Sequence, residues 1–360
     1  MPEQNVSFFK TFWKKLRRNK GAVFGLAVIV LAFLTAVFAY MIAPDATPDA
    51  NRIIVEIAAK KPGHRQHFLK IPLIIKEKPS VIKGFFWGRD ESYELIPISS
   101  FKIKGDTVFA EKYIDEGITE PVSLHIEGVN PEGFVTTKTF WLGTDKFGRD
   151  ILSRLIIGTR VSLGVGFIAV LISLTVGIFL GSIAGYFRGK TDDIVMWFVN
   201  VVWSIPTLLL VFAITLALGK GYWQVFIAVG LTLWVNVARL VRGQVLSIRE
   251  LNYIEATKAM GFSGARTIIR HILPNIMGPV MVIAASNFAS AIVIEAGLSF
   301  LGLGVQPPQP SWGLMIKENY NFIITNNPML AIAPGIAIML LVLAFNLLGN
   351  GLRDVMDVRS

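Results

Sequence analysis

Six long runs of this chain are nearly free of charge, and that constrains the fold more than any single motif. The first, residues 21–43, holds 23 consecutive residues without an acid or a base. The others are roughly 161–187, 194–218, 223–237, 276–301 and 328–349. A helix needs about 20 apolar residues to cross a hydrocarbon layer of about 30 Å, so each run predicts a transmembrane helix, the fourth borrowing residues from its flanks. The first is too long for a cleaved leader and shows no cleavage site, so it is read as a retained span. Pro206 and Gly177 lie inside these runs without breaking the assignment, because neighbouring helices can satisfy the freed backbone groups.

Composition agrees. Hydrophobic residues make up 53% of the chain and charged residues 17%, where an ordinary soluble domain carries about a quarter charged. The net charge of +10 raises the question of nucleic acid, and the placement of the bases answers it. With the N-terminus inside, sixteen Lys and Arg flank the spans on the cytoplasmic side and two, Lys220 and Lys317, fall in the short outer loops. That bias puts both termini in the cytoplasm and leaves no isolated basic patch for DNA or RNA. The absence of Cys excludes disulfides, thiolate metal sites and a cysteine nucleophile.

The chain divides into a basic cytoplasmic N-terminus (1–20), a first span (21–43), an outer segment (44–141), a five-helix core (142–350) with a cytoplasmic loop at 239–275, and a cytoplasmic tail (351–360). In the N-terminus, Phe8, Phe9, Phe12, Trp13 and Leu16 recur at helical spacing among Lys10, Lys14, Lys15, Arg17 and Arg18. The pattern fits either a helix lying on the inner leaflet or a basic flank that holds topology. The outer segment alternates like strands in FLKIPLIIKEK from Phe68, FKIKGDTVFAEKY from Phe101 and VSLHIEG from Val122, separated by turn residues, which predicts a small β-rich domain. His64 and His67 there have no third ligand in view, so no metal site is expected.

Two catalytic motifs come close and fail. AGYFRGKT (184–191) has Ala184 where a phosphate loop needs its first glycine. GLSFL (297–301) lacks the second glycine of a nucleophile elbow. An enzyme is not expected, nor any cofactor on this chain.

One cytoplasmic stretch, YIEATKAMGFSGARTIIRHILPN (253–275), predicts a short helix, a tight turn and a second helix. Asn252 is placed to cap the first helix with Glu255 as its reciprocal partner. Tyr253, Ala256, Thr257 and Met260 fall near one face. Gly261 stands where a left-handed residue would end the helix, Ser263 can cap the next, and Pro274 separates that helix from the fifth span. The stretch resembles the EAA motif of ABC-importer permeases, carried by Glu255, Ala256, Gly261, Ile272, Leu273 and Pro274, with Thr257 in place of the second alanine. In that family the first helix docks into the ATPase, which assigns coupling to Glu255, Ala256, Thr257, Gly261, Leu273 and Pro274.

A second stretch, LGTDKFGRDILSRLIIGTRVSLGVG (142–166), resembles the opening of the dipeptide and oligopeptide permease branch. Asp145, Gly148, Arg149, Asp150, Arg154 and Arg160 belong to that motif, together with Ser153, Gly158 and Ser162. These charges read as an ion-pair network anchoring the second span at the outer interface, or as part of a docking surface for a binding protein. EAGLSFLGLGVQPPQPSWG from Glu295 and FNLLGNGLRDVMD from Phe345 also look like this branch. Asn200 and Asn350 stand where the branch often has Asp, and each removes a charge that could form an ion pair. Glu295, near the outer end of its span, and Asn287 are candidates for a gate or pathway lining, or for structural anchors.

The resemblance implies an all-α integral membrane fold: six transmembrane helices of the type I ABC importer permease kind, with a small β-rich extracytoplasmic insert. It further implies a second, similar permease, two ATPase subunits using ATP and Mg, an extracytoplasmic solute-binding protein, and membrane lipid as surroundings. The location it implies is the cytoplasmic membrane of a bacterium or archaeon. Peptides are the expected solute, with nickel complexes or another small solute on the same scaffold as the alternative. A membrane sensor with an external ligand domain is the reading from another class, and the EAA-like loop argues against it.

Overall fold

The computed structural model describes residues 8–73, 81–89, 93–125, 131–219, 221–324 and 327–356. Helix α1 (Phe8–Arg18) is followed by α2 (Lys20–Val37), short α3 (Ala39–Ile42), strand β1 (His64–Pro72) and α4 (Val81–Trp87). Strands β2 (Tyr93–Lys104), β3 (Thr107–Asp115), β4 (Ile118–His125) and β5 (Val135–Phe140) come next. Then follow α5 (Ile151–Phe187), α6 (Gly189–Trp203), α7 (Thr207–Leu218), α8 (Tyr222–Arg249), α9 (Asn252–Ala259) and α10 (Gly264–Thr267). A π-turn (Ile268–Ile272), α11 (Leu273–Leu301), α12 (Trp312–Asn319) and α13 (Met329–Met356) come last among the described residues. It divides into two compact units: Met1–Phe33 with Ser162–Gln306 and Ala337–Ser360, and Leu34–Val161 with Pro307–Ile336.

Among the described residues, five helices are long and apolar enough to cross a membrane: Lys20–Val37, Ile151–Phe187, Tyr222–Arg249, Gly264–Leu301 and Met329–Met356. The run at 194–218, expected as one continuous span, is instead α6 and α7 bent by 91° at their junction. Pro206 sits at the break. It has no N–H to give and its ring disfavours helix in the residue before it. Counting the bent pair as one span gives six. The second span begins at Ile151 and not near 161, so its helix takes in the later half of the 142–166 stretch.

The first unit is built around α8, whose core residues Val225, Phe226, Val229 and Leu233 pack with Val165 and Ala169 of α5 and with Ala291 and Leu298 of α11. Along α5, Gly177, Gly181 and Gly185 form a stripe at four-residue spacing. A Cβ at these positions would stand 2.5 Å from the Val237 Cβ, 2.5 Å from the Ala238 carbonyl oxygen and 2.8 Å from the Val245 Cβ. The missing side chains let two backbones approach, which is how helices gain packing energy where no water drives association.

The second unit holds an antiparallel sheet of order β4-β3-β2-β1-β5. Alternation predicted β1 to β4; β5 pairs with β1 in the register His67↔Thr137 and was not legible in the sequence. Both faces of β1 are covered, Phe68 by Ile54, Ile57 and Phe140 and Leu69 by Ile98, Val108 and Ala110. The expected continuations of strand through residues 74–78 and 126–128 lie outside the described residues, as do Lys220 and the last four residues of the tail. His67 contacts Thr137, His64 contacts Gln66 and His125 contacts Thr107, and no three-residue His, Cys, Asp or Glu cluster suited to a metal occurs among the described residues.

Candidate functional site

The loop between α8 and α11 folds into a closed knob. Its first helix, α9, starts one residue earlier than a cap at Asn252 would require: Leu251 occupies the cap position and no side chain caps the helix. The expected reciprocal pair of Asn252 and Glu255 is therefore absent. The other end follows expectation. Gly261 has φ +76°, its N–H donates to the Lys258 carbonyl at 2.9 Å, and the Phe262 N–H donates to the Thr257 carbonyl at 3.0 Å. This double closure is the Schellman arrangement. Ser263 then caps α10, its Oγ accepting from the Arg266 N–H at 3.4 Å.

Burial sorts the motif residues by role. Ile254 and Thr257 are buried, and the Thr257 hydroxyl donates to the Ile254 carbonyl at 2.7 Å and lies 3.3 Å from the Thr267 hydroxyl. Thr257 thus pins the knob from inside and does not share the outer face of Tyr253, Ala256 and Met260. Glu255, Ala256, Met260, Gly261 and Pro274 are exposed, and Leu273 is half-buried. Pro274 does not separate the second helix from the fifth span. Residues Gly264–Leu301 form one 38-residue helix, and the π-turn before Leu273 takes up the distortion that a proline without N–H imposes.

The knob sits on the C-terminal end of α5. Tyr186 is buried among Ile254, Ile268 and Ile272, with the Arg249 guanidinium 5.7 Å and the Lys258 amine 5.8 Å from its ring centre. Arg188 pairs with Glu250, just before α9. Arg242 pairs with Asp192 of α6, its Nη2 2.6 Å from Oδ2. Asn200, standing where an acid is usual, still accepts a 2.8 Å hydrogen bond from Arg239. Sequence reasoning missed Tyr186 and Arg188, since nothing local marks which turn packs beneath the loop.

In the second unit the LGTDKFGRD-type residues converge. Arg149 Nε lies 2.6 Å from Asp145 Oδ2, and its Nη2 lies 2.8 Å from Glu318 Oε2. Arg154 reaches the same Glu318 at 3.4 Å and Asp145 at 3.9 Å. Asp145, Arg149 and Arg154 are all buried, so this is an interior network and not a solvated charge patch. Asp150 accepts from both the Ser153 N–H and its hydroxyl, and burial raises its carboxyl above the ordinary range against those bonds. Gly148 has φ +73°, and a Cβ there would stand 1.7 Å from the Ile54 carbonyl oxygen. Arg160 donates to the Phe86 carbonyl at 2.7 Å and lies over the Tyr40 ring.

Asn287 and Glu295 are buried in the first unit. Asn287 donates to the Ser173 hydroxyl and the Leu233 carbonyl. Glu295 accepts from the Ser299 hydroxyl at 2.6 Å, and that hydroxyl accepts from the Val305 N–H. Both residues tie helix to helix or helix to turn. A cleft of about 590 Å³ opens elsewhere in this unit, lined by Leu240, Gln244, Pro279, Ser286, Arg353 and Met356 among others; neither Asn287 nor Glu295 lines it.

The model of the family described as binding-protein-dependent transport system inner membrane component matches residues 177–360, more than half of the chain. The chain belongs to that family. A second model, the N-terminal TM domain of oligopeptide transport permease C, matches residues 7–58 of this inner membrane component. A glutathione transport system permease protein of Pectobacterium atrosepticum is 43% identical over 217 residues, 60% of this chain and 72% of that one. A dipeptide transport system permease protein of Alkalihalophilus pseudofirmus is 43% identical over 217 residues, 60% of this chain and 71% of that one. An oligopeptide transport system permease protein of Bacillus subtilis is 39% identical over 61% of this chain and 72% of that one. Among solved structures, a chain of an inward facing methionine ABC transporter matches with a TM-score of 0.48 at 19% identity, covering 57% of this chain and 98% of that one. This binding-protein-dependent permease is thus a multi-pass inner membrane transport component.

Proposed function

We propose that this permease is one half of the pathway of an ATP-driven importer of peptides or peptide-like solutes. The knob at α9 carries the reading: Glu255 and Ala256 are presented on a helix that Gly261 closes through backbone hydrogen bonds and that buried Ile254 and Thr257 pin. A rigid projection of that kind suits a soluble ATPase subunit that must push on a membrane helix. The knob is continuous with the 38-residue helix Gly264–Leu301 and rests on Tyr186 at the end of α5, so a push there is delivered to two candidate spans. The peptide class comes from the relatives, whose names specify glutathione, dipeptides and oligopeptides.

The rest of the assembly follows from the same reading. The α6–α7 pair counts as one bent span, both termini and the knob face the cytoplasm, and the sheet β1–β5 lies outside. A second permease closes the pathway, two ATPases hydrolyse MgATP, and a binding protein delivers solute. We place the solute path along the cleft with Gln244 and Ser286, leaving Asn287 and Glu295 as anchors. The test is uptake of a labelled tripeptide by cells with and without this chain, alongside identification of the ligand on the binding protein that co-purifies with it. Peptide uptake that depends on the chain, and a peptide on the binding protein, are expected. A nickel chelate on that protein, with peptide uptake unchanged by loss of the chain, would overturn the substrate assignment.

A further inference from the structure

Helix α1 carries Lys10, Lys14, Lys15, Arg17 and Arg18 in eleven residues and no acid in its first turn. Its sequence puts Phe8, Phe9, Phe12, Trp13 and Leu16 on one arc of a helical wheel, while these bases occupy the opposite arc. Among the described side chains, Leu16 is 4% exposed and packs with Ala22 of α2 and Leu352 of α13, whereas Lys14, Arg17 and Arg18 are exposed and Lys15 is half-buried. Trp13 lies at the border, with the Arg17 guanidinium 5.2 Å from its ring centre.

Asn19 makes α1 a separate element and not an extension of the span. Its N–H donates to the Leu16 carbonyl at 3.1 Å, closing the last turn of α1. Its side-chain oxygen accepts from the Ala22 N–H at 3.0 Å, capping α2. The amide nitrogen donates to Asp354 of α13 at 3.0 Å. One residue therefore ends α1, starts the apolar helix Lys20–Val37 and ties both to α13. A basic, aromatic-bordered helix a single residue away from a membrane span has its cations at the level of lipid headgroups, where anionic lipids attract Lys and Arg.

We propose that the basic face of α1 binds the headgroups of anionic phospholipids in the inner leaflet, and that Leu16 and Asn19 transmit this contact to α2 and α13. The proposal rests on the cytoplasmic N-terminus assigned above. Charge complementarity commits the occupant: a face of Lys and Arg with an aromatic border and direct continuity into a span fits a phosphate-bearing surface. Nucleic acid shares the charge, but a helix tethered by one residue to the bilayer meets lipid first.

The chain has no Cys, so Thr11→Cys gives one site for an environment-sensitive dye on the otherwise intact protein. The full chain is placed in nanodiscs of phosphatidylcholine alone or of phosphatidylcholine with phosphatidylglycerol, each with a bromine-labelled lipid as quencher. Brominated phosphatidylglycerol should quench more strongly than brominated phosphatidylcholine, and phosphatidylglycerol should be retained preferentially through detergent extraction. Each of Lys14→Gln, Lys15→Gln, Arg17→Gln and Arg18→Gln should cut that preference about fivefold, the factor equivalent to about 1 kcal/mol per base. Lys14→Arg with Lys15→Arg, which keeps the charge, should retain the preference, separating lost charge from lost folding. Equal quenching by both lipids in the dye-labelled Thr11→Cys chain with all its bases intact would overturn the proposal. So would shielding from both lipids in the complete transporter, since a protein partner would then cover α1. Labelling of the Thr11→Cys variant by an impermeant reagent from outside intact cells would instead overturn the topology, whatever the lipid preference.

Discussion

Glu318 serves two arginines at once, Arg149 at 2.8 Å and Arg154 at 3.4 Å, and Asp145 helps it balance them. Arg149 is 3% and Arg154 1% exposed. Two guanidiniums taken out of water are tolerable only while their acids are present, and removing one partner of a buried pair typically costs about 3–5 kcal/mol. Glu318→Gln should therefore lower the thermal unfolding midpoint of the purified permease and its level in the membrane. Glu318→Asp, which keeps the charge on a shorter stem, should recover part of both. An unchanged midpoint in Glu318→Gln would mean that the network holds without this carboxylate. The sequence named Asp145, Arg149 and Arg154 through their motif. Glu318 lies 164 residues beyond Arg154 in a helix of ordinary composition, so only the fold could pair it with them.

At the scale of elements, the knob shows what a single backbone conformation controls. Gly261 stands at φ +76° with open space where a Cβ would go, so the cost of a side chain there is conformational, about 1–2 kcal/mol for an L residue in the left-handed region and more for a β-branched one. Gly261→Val should open the Schellman closure and tilt α9. Uptake should fall close to background at normal membrane levels, and ATPase co-purification should fall with it. Gly261→Asn, whose side chain tolerates this region, should keep a substantial part of both activities. Equal loss in the Asn and Val variants would point to contact and not to shape. The glycine was legible from its place just after a short helix. The cap at Asn252 was not realised, because Leu251 takes the position and backbone bonds from Ile254 and Glu255 to its carbonyl make the first turn without a side chain.

At the scale of the whole molecule, topology is testable because the chain lacks Cys. Ser100 in β2 and Lys258 in α9 are both exposed. An impermeant thiol reagent applied to intact cells should label Ser100→Cys and leave Lys258→Cys unlabelled until the membrane is permeabilised. Labelling of both before permeabilisation, or of Lys258→Cys alone, would refute the arrangement of an outer sheet and an inner knob. An odd number of crossings, with the α6–α7 pair entering and leaving on one side, would put the two termini on opposite faces. A second impermeant label at Thr11→Cys, compared with Lys258→Cys, would reveal that.

The sequence by itself determined the membrane class, five of the six apolar runs as long helices, the strand-rich character of the segment 44–141 and the family, because apolar run length, side-chain alternation and motif spacing are properties of neighbouring residues. It did not determine the 91° bend at Pro206, the π-turn that carries Pro274 through the helix, or β5. In each case several neighbours decide whether an unfavoured backbone is held. Nor did it place Tyr186 and Arg188 beneath the knob, Glu318 between the arginines, or Glu295 and Asn287 in packed interiors. Those contacts join residues tens to hundreds of positions apart, and only the tertiary structure brings them within reach of one another's short-range forces.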